Sequence, residues 1–195
     1  MSKYNQVVSA TPITCKKRHL IYKMKVQLYQ VPYPIWRVIL INGNDTISTL
    51  QTVALKCMGW DFSHLFEIEI KKATNKSRTP TALRGDDIEC MRISEVFDFN
   101  TTGELTYDMG DNWIHEIKVL DILPDANVRA PFCLRAKGIC PPEDVGGGYE
   151  YARKLRIFEQ PSHPDYDEIQ EWLGADFDPN MLVDINRINK RLGYK

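Results

Sequence analysis

The stretch LIYKMKVQL, Leu20 to Leu28, decides how the chain is read. Leu20, Tyr22, Met24, Val26 and Leu28 fall on one side of an extended backbone, and Lys23, Lys25 and Gln27 on the other. Strict alternation with one apolar face predicts a half-buried strand in an antiparallel sheet. Outward from it, VPYP (Val31 to Pro34) breaks the strand, and Ile35 to Ile41 reads as a second one, apolar on both faces except for Arg37. Turn chemistry at Asn42 to Asp45 leads to Thr46 as a helix N-cap. Ile47, Leu50, Val53, Ala54, Cys57 and Met58 follow at helical spacing, with Gly59 as the stop.

Ser63 to Lys71 alternates again. Residues 72–87, punctuated by Pro80 and Gly85, read as a long loop, and Ile93 to Phe97 as a short helix. Two strands, Glu104 to Asp108 and Trp113 to Leu123, flank Met109 to Asn112 as a hairpin. Beyond a Pro- and Gly-rich run, three short helices are predicted, over Tyr149 to Phe158, Tyr166 to Leu173 and about Asp184 to Leu192. Strands early and helices late give an α+β class: an antiparallel sheet of about five strands, one early helix and a C-terminal group of three short helices. Residues 1–18 are expected to be a disordered extension, and residues 19–195 a single domain.

A 43% hydrophobic and 26% charged composition excludes disordered and fibrous classes. No apolar run reaches the roughly 20 residues of a membrane span, so no membrane partner is expected. No apolar segment follows Lys16, Lys17 and Arg18, so no cleaved secretion signal is expected either. The five cysteines, Cys15, Cys57, Cys90, Cys133 and Cys140, are odd in number and scattered. That is a poor disulfide framework and predicts a cytoplasmic location. Net charge is −1, but residues 1–44 hold seven bases and no acid, while residues 139–180 hold ten acids against three bases. Lys16, Lys17 and Arg18 could contact nucleic acid; the alternative is a loose terminus followed by the solvent side of a strand.

His115 shares parity with Trp113, Ile117 and Val119, and His64 with Phe66, Ile68 and Ile70, so both imidazoles fall on apolar faces. Each is either bonded to a backbone carbonyl or carboxylate, or is a ligand. Cys133 and Cys140 lie too far apart for a tight zinc motif; they are either packed thiols or part of a zinc or other divalent-metal site with His115 and Asp144. In CPPEDVGGG, Cys140 to Gly148, the prolines stiffen the chain ahead of a helix. Glu143 and Asp144 can there cap that helix, bind metal or act as a base. Asp111 suits an Asx turn, and Asp108 could meet His115 across the hairpin as an acid/base pair. His64, Asp108, Asp111, His115, Glu143 and Asp144 form the candidate functional cluster. The glycine run is no phosphate-binding loop, because no Lys-Ser or Lys-Thr follows it. Hydrolase-elbow, zinc-protease and Walker motifs are missing, so no catalytic residue is assigned.

Several stretches together resemble the plasmid pRiA4b ORF-3-like domain family, which also includes passenger proteins of some insertion elements. They are Pro34 to Arg37, Met58 to Asp61 with Ser63 to Phe66, Tyr107 to Trp113 with His115, Cys133, and Cys140 to Asp144 with Gly146 and Gly147. Trp172, Leu173, Phe177 to Pro179, Asn189 and Leu192 complete the likeness. The resemblance implies one α+β domain from a bacterium or archaeon, and leaves activity open. Members often carry a third cysteine after the Glu-Asp pair, where this chain has Val145. The function expected is a non-enzymatic binding or accessory domain tied to plasmid or mobile-element DNA; the alternative is a metal-binding domain or metal-dependent enzyme.

Overall fold

The computed structural model describes residues 20–72, 81–83, 86–124, 128–174, 177–179 and 181–194. The expected extension over residues 1–18, with Lys16, Lys17 and Arg18, lies outside them. The strands are β1 (Leu20–Leu28), β2 (Ile35–Asn42), β3 (Phe66–Lys72), β4 (Thr81–Leu83), β5 (Thr101–Tyr107), β6 (Trp113–Pro124) and β7 (Phe132–Lys137). The helices are α1 (Ile47–Met58), α2 (Asp86–Glu89), α3 (Ile93–Val96), α4 (Gly147–Phe158), α5 (Tyr166–Leu173) and α6 (Ile185–Arg191).

The strands form one antiparallel sheet in the order β4-β3-β5-β6-β1-β2-β7. The five strands anticipated from alternation are its contiguous centre. The two additions are its edges, β4 inside the stretch expected to be a loop and β7 after Pro131. The apolar row of β1 is buried as the alternation requires, with Met24 and Val26 fully enclosed beneath α1 and the C-terminal helices. Across β3, β5 and β6 the opposite face is charged and internally paired: Lys71 Nζ lies 2.7 Å from Glu104 Oε2, and Lys118 Nζ 2.8 Å from Glu116 Oε2.

Thr46 caps α1 as expected, its side chain accepting from Thr49 N at 3.1 Å, and Gly59 closes it in the left-handed region. The strand anticipated from Ser63 begins at Phe66 instead. Residues 60–65 form a loop in which Asp61 Oδ1 accepts from Ser63 N and Phe62 sits at φ +71°. In the hairpin, Tyr107 pairs with Trp113, so the connection is Asp108 to Asn112. Asp108, not Asp111, supplies the Asx turn, its Oδ1 accepting from Gly110 N at 2.8 Å.

The glycine run after Val145 is required by close approach. A Cβ on Gly147, at φ +76°, would stand 2.5 Å from Asp111 O, and one on Gly148 would stand 2.0 Å from Gln30 O. Glycine to alanine inside a helix ordinarily stabilises. At Gly148 the sign is expected to reverse: Gly148→Ala should cost about 2 kcal/mol, read as a lower urea midpoint with unchanged slope, because the clash is with backbone that cannot rotate away.

Candidate metal centre

The composite site expected around His115 does not form. His115 is fully buried, paired in register with Leu105 and Leu28, and its Nδ1 lies 3.0 Å from Leu105 O. Its ring stands edge-on to Trp60, with centroids 5.1 Å apart. Burial pushes its pKa from 6.5 down to about 4, so it is a neutral core residue. It meets neither Asp108 nor a cysteine in the way the sequence suggested; Asp108 turns instead toward His64. A stability consequence follows. As pH falls from 6.5 toward about 4, the unfolded chain binds a proton at this site that the folded chain refuses. Stability contributed by neutral His115 is therefore complete above pH 6.5 and is lost on acidification, to an extent of about 3 kcal/mol. Urea titrations across pH 5–6.5 should show a steeper decline for the native protein than for His115→Gln.

Cys133 and Cys140 are not joined as metal ligands either. The buried Arg37 guanidinium occupies the space beside them. Its Nη2 donates to Cys140 Sγ at 3.2 Å and to Gly138 O at 3.1 Å. Its Nη1 donates to Trp36 O and Lys137 O, both at 2.9 Å, and its Nε to Cys57 O at 2.8 Å. A fixed cation there excludes a second one. The neighbouring Cys57 and Cys133 thiols act on each other, raising Cys57 and lowering Cys133, while burial raises Cys140. Nothing in the sequence marked this role except that Arg37 is the lone charge in an otherwise apolar strand.

What does converge is His64, Asp108 and Asp144, whose ligand atoms all lie within 4.8 Å of one another. The Cys140 to Asp144 segment is tied across the loop after α1. Trp60 Nε1 donates to Pro141 O at 3.0 Å, and Glu143 Oε1 accepts from Asp61 N and from Tyr107 Oη, both at 3.0 Å. Trp60 stacks on Tyr107 and Trp113, which fixes the floor. Val145 is buried in the core. Glu143 and Asp144 do not cap α4: its N-cap is Gly146, with no side-chain cap bond. Gly146 N instead donates to the Asp111 carboxylate, at 3.1 Å to each oxygen, so Asp111 braces the two loops and is not a member of the trio.

His64 Nε2 lies 3.1 Å from Asp144 Oδ1, and Nδ1 3.7 Å from Asp108 Oδ2. The first pair meets the distance of a hydrogen bond but not its direction, which leaves buried Nε2 without a hydrogen bond. Two ligands of one ion, each bonded at about 2.0–2.2 Å, stand roughly 3 Å apart in this way. Asp108 and Asp144 both sit at left-handed φ, +58° and +57°, a conformation that costs free energy in non-glycine residues and clusters at functional sites. Beside the trio, Glu143 Oε2 is a buried acceptor with no donor. Burial raises the Glu143 carboxyl, opposed by the bonds from Asp61 and Tyr107. Asp144 is 75% exposed, so the trio opens to solvent.

Among the described residues no helix is long and apolar enough to cross a membrane. The family model for plasmid pRiA4b ORF-3-like protein matches residues 20–186. The chain is 30% identical over 175 residues to the uncharacterized protein y4hQ of Sinorhizobium fredii, spanning 87% of this chain and 89% of the relative. It also matches the crystal structure of a protein of unknown function from Methanosarcina mazei Go1, with a TM-score of 0.76 and 29% identity over 87% of this chain and 97% of that one. The likeness first drawn from scattered motifs thus extends through the whole α+β sheet, and the chain belongs to the plasmid pRiA4b ORF-3-like protein family.

Proposed function

We propose that this protein is a metal-binding domain whose centre is formed by His64, Asp108 and Asp144. The observation that carries the reading is the convergence of one imidazole and two carboxylates within 4.8 Å. An imidazole with carboxylates suits zinc, manganese or ferrous iron better than calcium or magnesium, which take oxygen alone. Three protein ligands with a solvent-facing side correspond to the exchangeable type of centre, in which water or a partner group completes the shell. A metal-bound water would supply the donor that Glu143 Oε2 lacks. The accessory role tied to mobile DNA rests on Lys16, Lys17 and Arg18, outside the described residues, and on the family's plasmid context.

The test is calorimetric titration of Zn²⁺ and Mn²⁺ into untagged protein freed of metal by chelation. A single saturable site that disappears in Asp108→Asn is the expected result. Heats too small to saturate for both ions, or binding that survives loss of Asp108, would overturn the assignment.

A further inference from the structure

A cavity of about 250 Å³ opens between the C-terminal end of α1 and α6, on Arg37 and Cys140 and beside Arg187 and Arg191. Arg187 and Arg191 are four residues apart on α6 and so share a face. Neither has a carboxylate within ion-pair distance among the described residues. The Arg191 guanidinium reaches over Gly59, where a Cβ would stand 2.9 Å from Nη1. Arg37 is 2% exposed and spends its donors on four carbonyls and Cys140. It therefore adds charge to the cavity but no free N–H. The negative end of α1 accounts for Arg37 through Cys57 O, and that of α6 for Arg191 in its last turn, while Arg187 in the first turn of α6 has no such counterpart. The one acid lining the cavity, Asp184, is engaged as the N-cap of α6, accepting from Arg187 N at 3.0 Å.

We infer that this cavity binds a small tetrahedral oxyanion, phosphate or a phosphate monoester, gripped by the Arg187 and Arg191 forks above the buried charge of Arg37. Guanidinium forks match such an anion in geometry as well as charge. The volume admits a phosphate with a short substituent, which would lie along Met58 and Val183 at the apolar wall.

The experiment uses chelator-treated protein, so that no bound metal can attract the anion and the result is independent of the metal reading. Inorganic phosphate is titrated at constant ionic strength against chloride, following thermal unfolding and calorimetric heat, with phenyl phosphate as the second probe. Saturable stabilisation by phosphate is expected. It should weaken about tenfold or more in the Arg187→Gln, Arg191→Gln double variant. It should be unchanged in Arg153→Gln, whose partner is Glu150 on α4. Tighter binding of phenyl phosphate than of phosphate would assign the monoester, and equal binding the free anion. Equal effects of phosphate and chloride, or equal phosphate affinity in the native and double-variant proteins, would overturn the proposal. Both substituted arginines are solvent-exposed, so the double variant is expected to fold, and its circular dichroism confirms it.

Discussion

His64→Ala is expected to weaken divalent-ion binding by more than about 100-fold, since loss of even an outer hydrogen-bonding partner of a ligand costs 10–100-fold. The imidazole supplies the one nitrogen of the trio and stands between both carboxylates, at 3.7 Å from Asp108 and 3.1 Å from Asp144. Without it, two carboxylates remain with no fixed spacing between them. The metal-free stability should fall by only about 1 kcal/mol, because the side chain is 27% exposed and its contact with the core is edge-on packing against the Tyr107 ring, centroids 5.9 Å apart. Ion-dependent stabilisation should be lost instead: an ion at 100 times its dissociation constant adds about 2.7 kcal/mol to the native protein. Unfolding measured with and without Zn²⁺ separates the two effects. A variant destabilised equally in both conditions would mean that His64 is a structural residue.

Arg37→Met is expected to cost about 4 kcal/mol or more, comparable with the whole stability of many domains. Four carbonyls, of Trp36, Cys57, Lys137 and Gly138, lose their donor at once. Each orphaned buried acceptor costs about 1–3 kcal/mol, offset in part because a charge no longer has to be desolvated. Arg37→Lys should recover only a fraction, since an ammonium on a flexible stem cannot fork to β2, the end of β7 and α1 together. Urea midpoints measure both variants. A methionine variant within 1 kcal/mol of the native protein, on the order of a single ordinary hydrogen bond, would show that the network is redundant.

The legible part of the fold was its centre. β1, β2, β3, β5 and β6 each bury one alternating row or a continuous apolar run, and α1 carries both its cap and its stop in local sequence. The edges were not legible, for a physical reason. β7 contains a register shift opposite Val38 and Ile39, which erases alternation, and β4 has only three residues. Such strands are defined by the neighbour they pair with. The site was half legible. Parity placed His64 and His115 toward the apolar side, but could not tell which would meet the carboxylates. That choice is made by the fold: His115 lies mid-strand against Leu105, whereas His64 lies in the loop before β3, facing the hairpin turn and the Glu143-Asp144 segment. Arg37 was visible as an anomaly only, because its acceptors are carbonyls up to 101 residues away.

Asn189 of α6 accepts from Cys133 N at 2.8 Å and donates to Cys133 O at 3.1 Å, the two bonds a neighbouring strand would make. One amide side chain thus stands in for an eighth strand at the outer rim of β7. It comes from the last helix, 56 residues further along the chain. During synthesis the rim remains an open template until α6 has emerged and docked, and a neighbouring chain can pair with it in that interval. Helix α6 therefore acts as a latch on this edge, and its removal would leave the Cys133 backbone pair open to a strand from another chain.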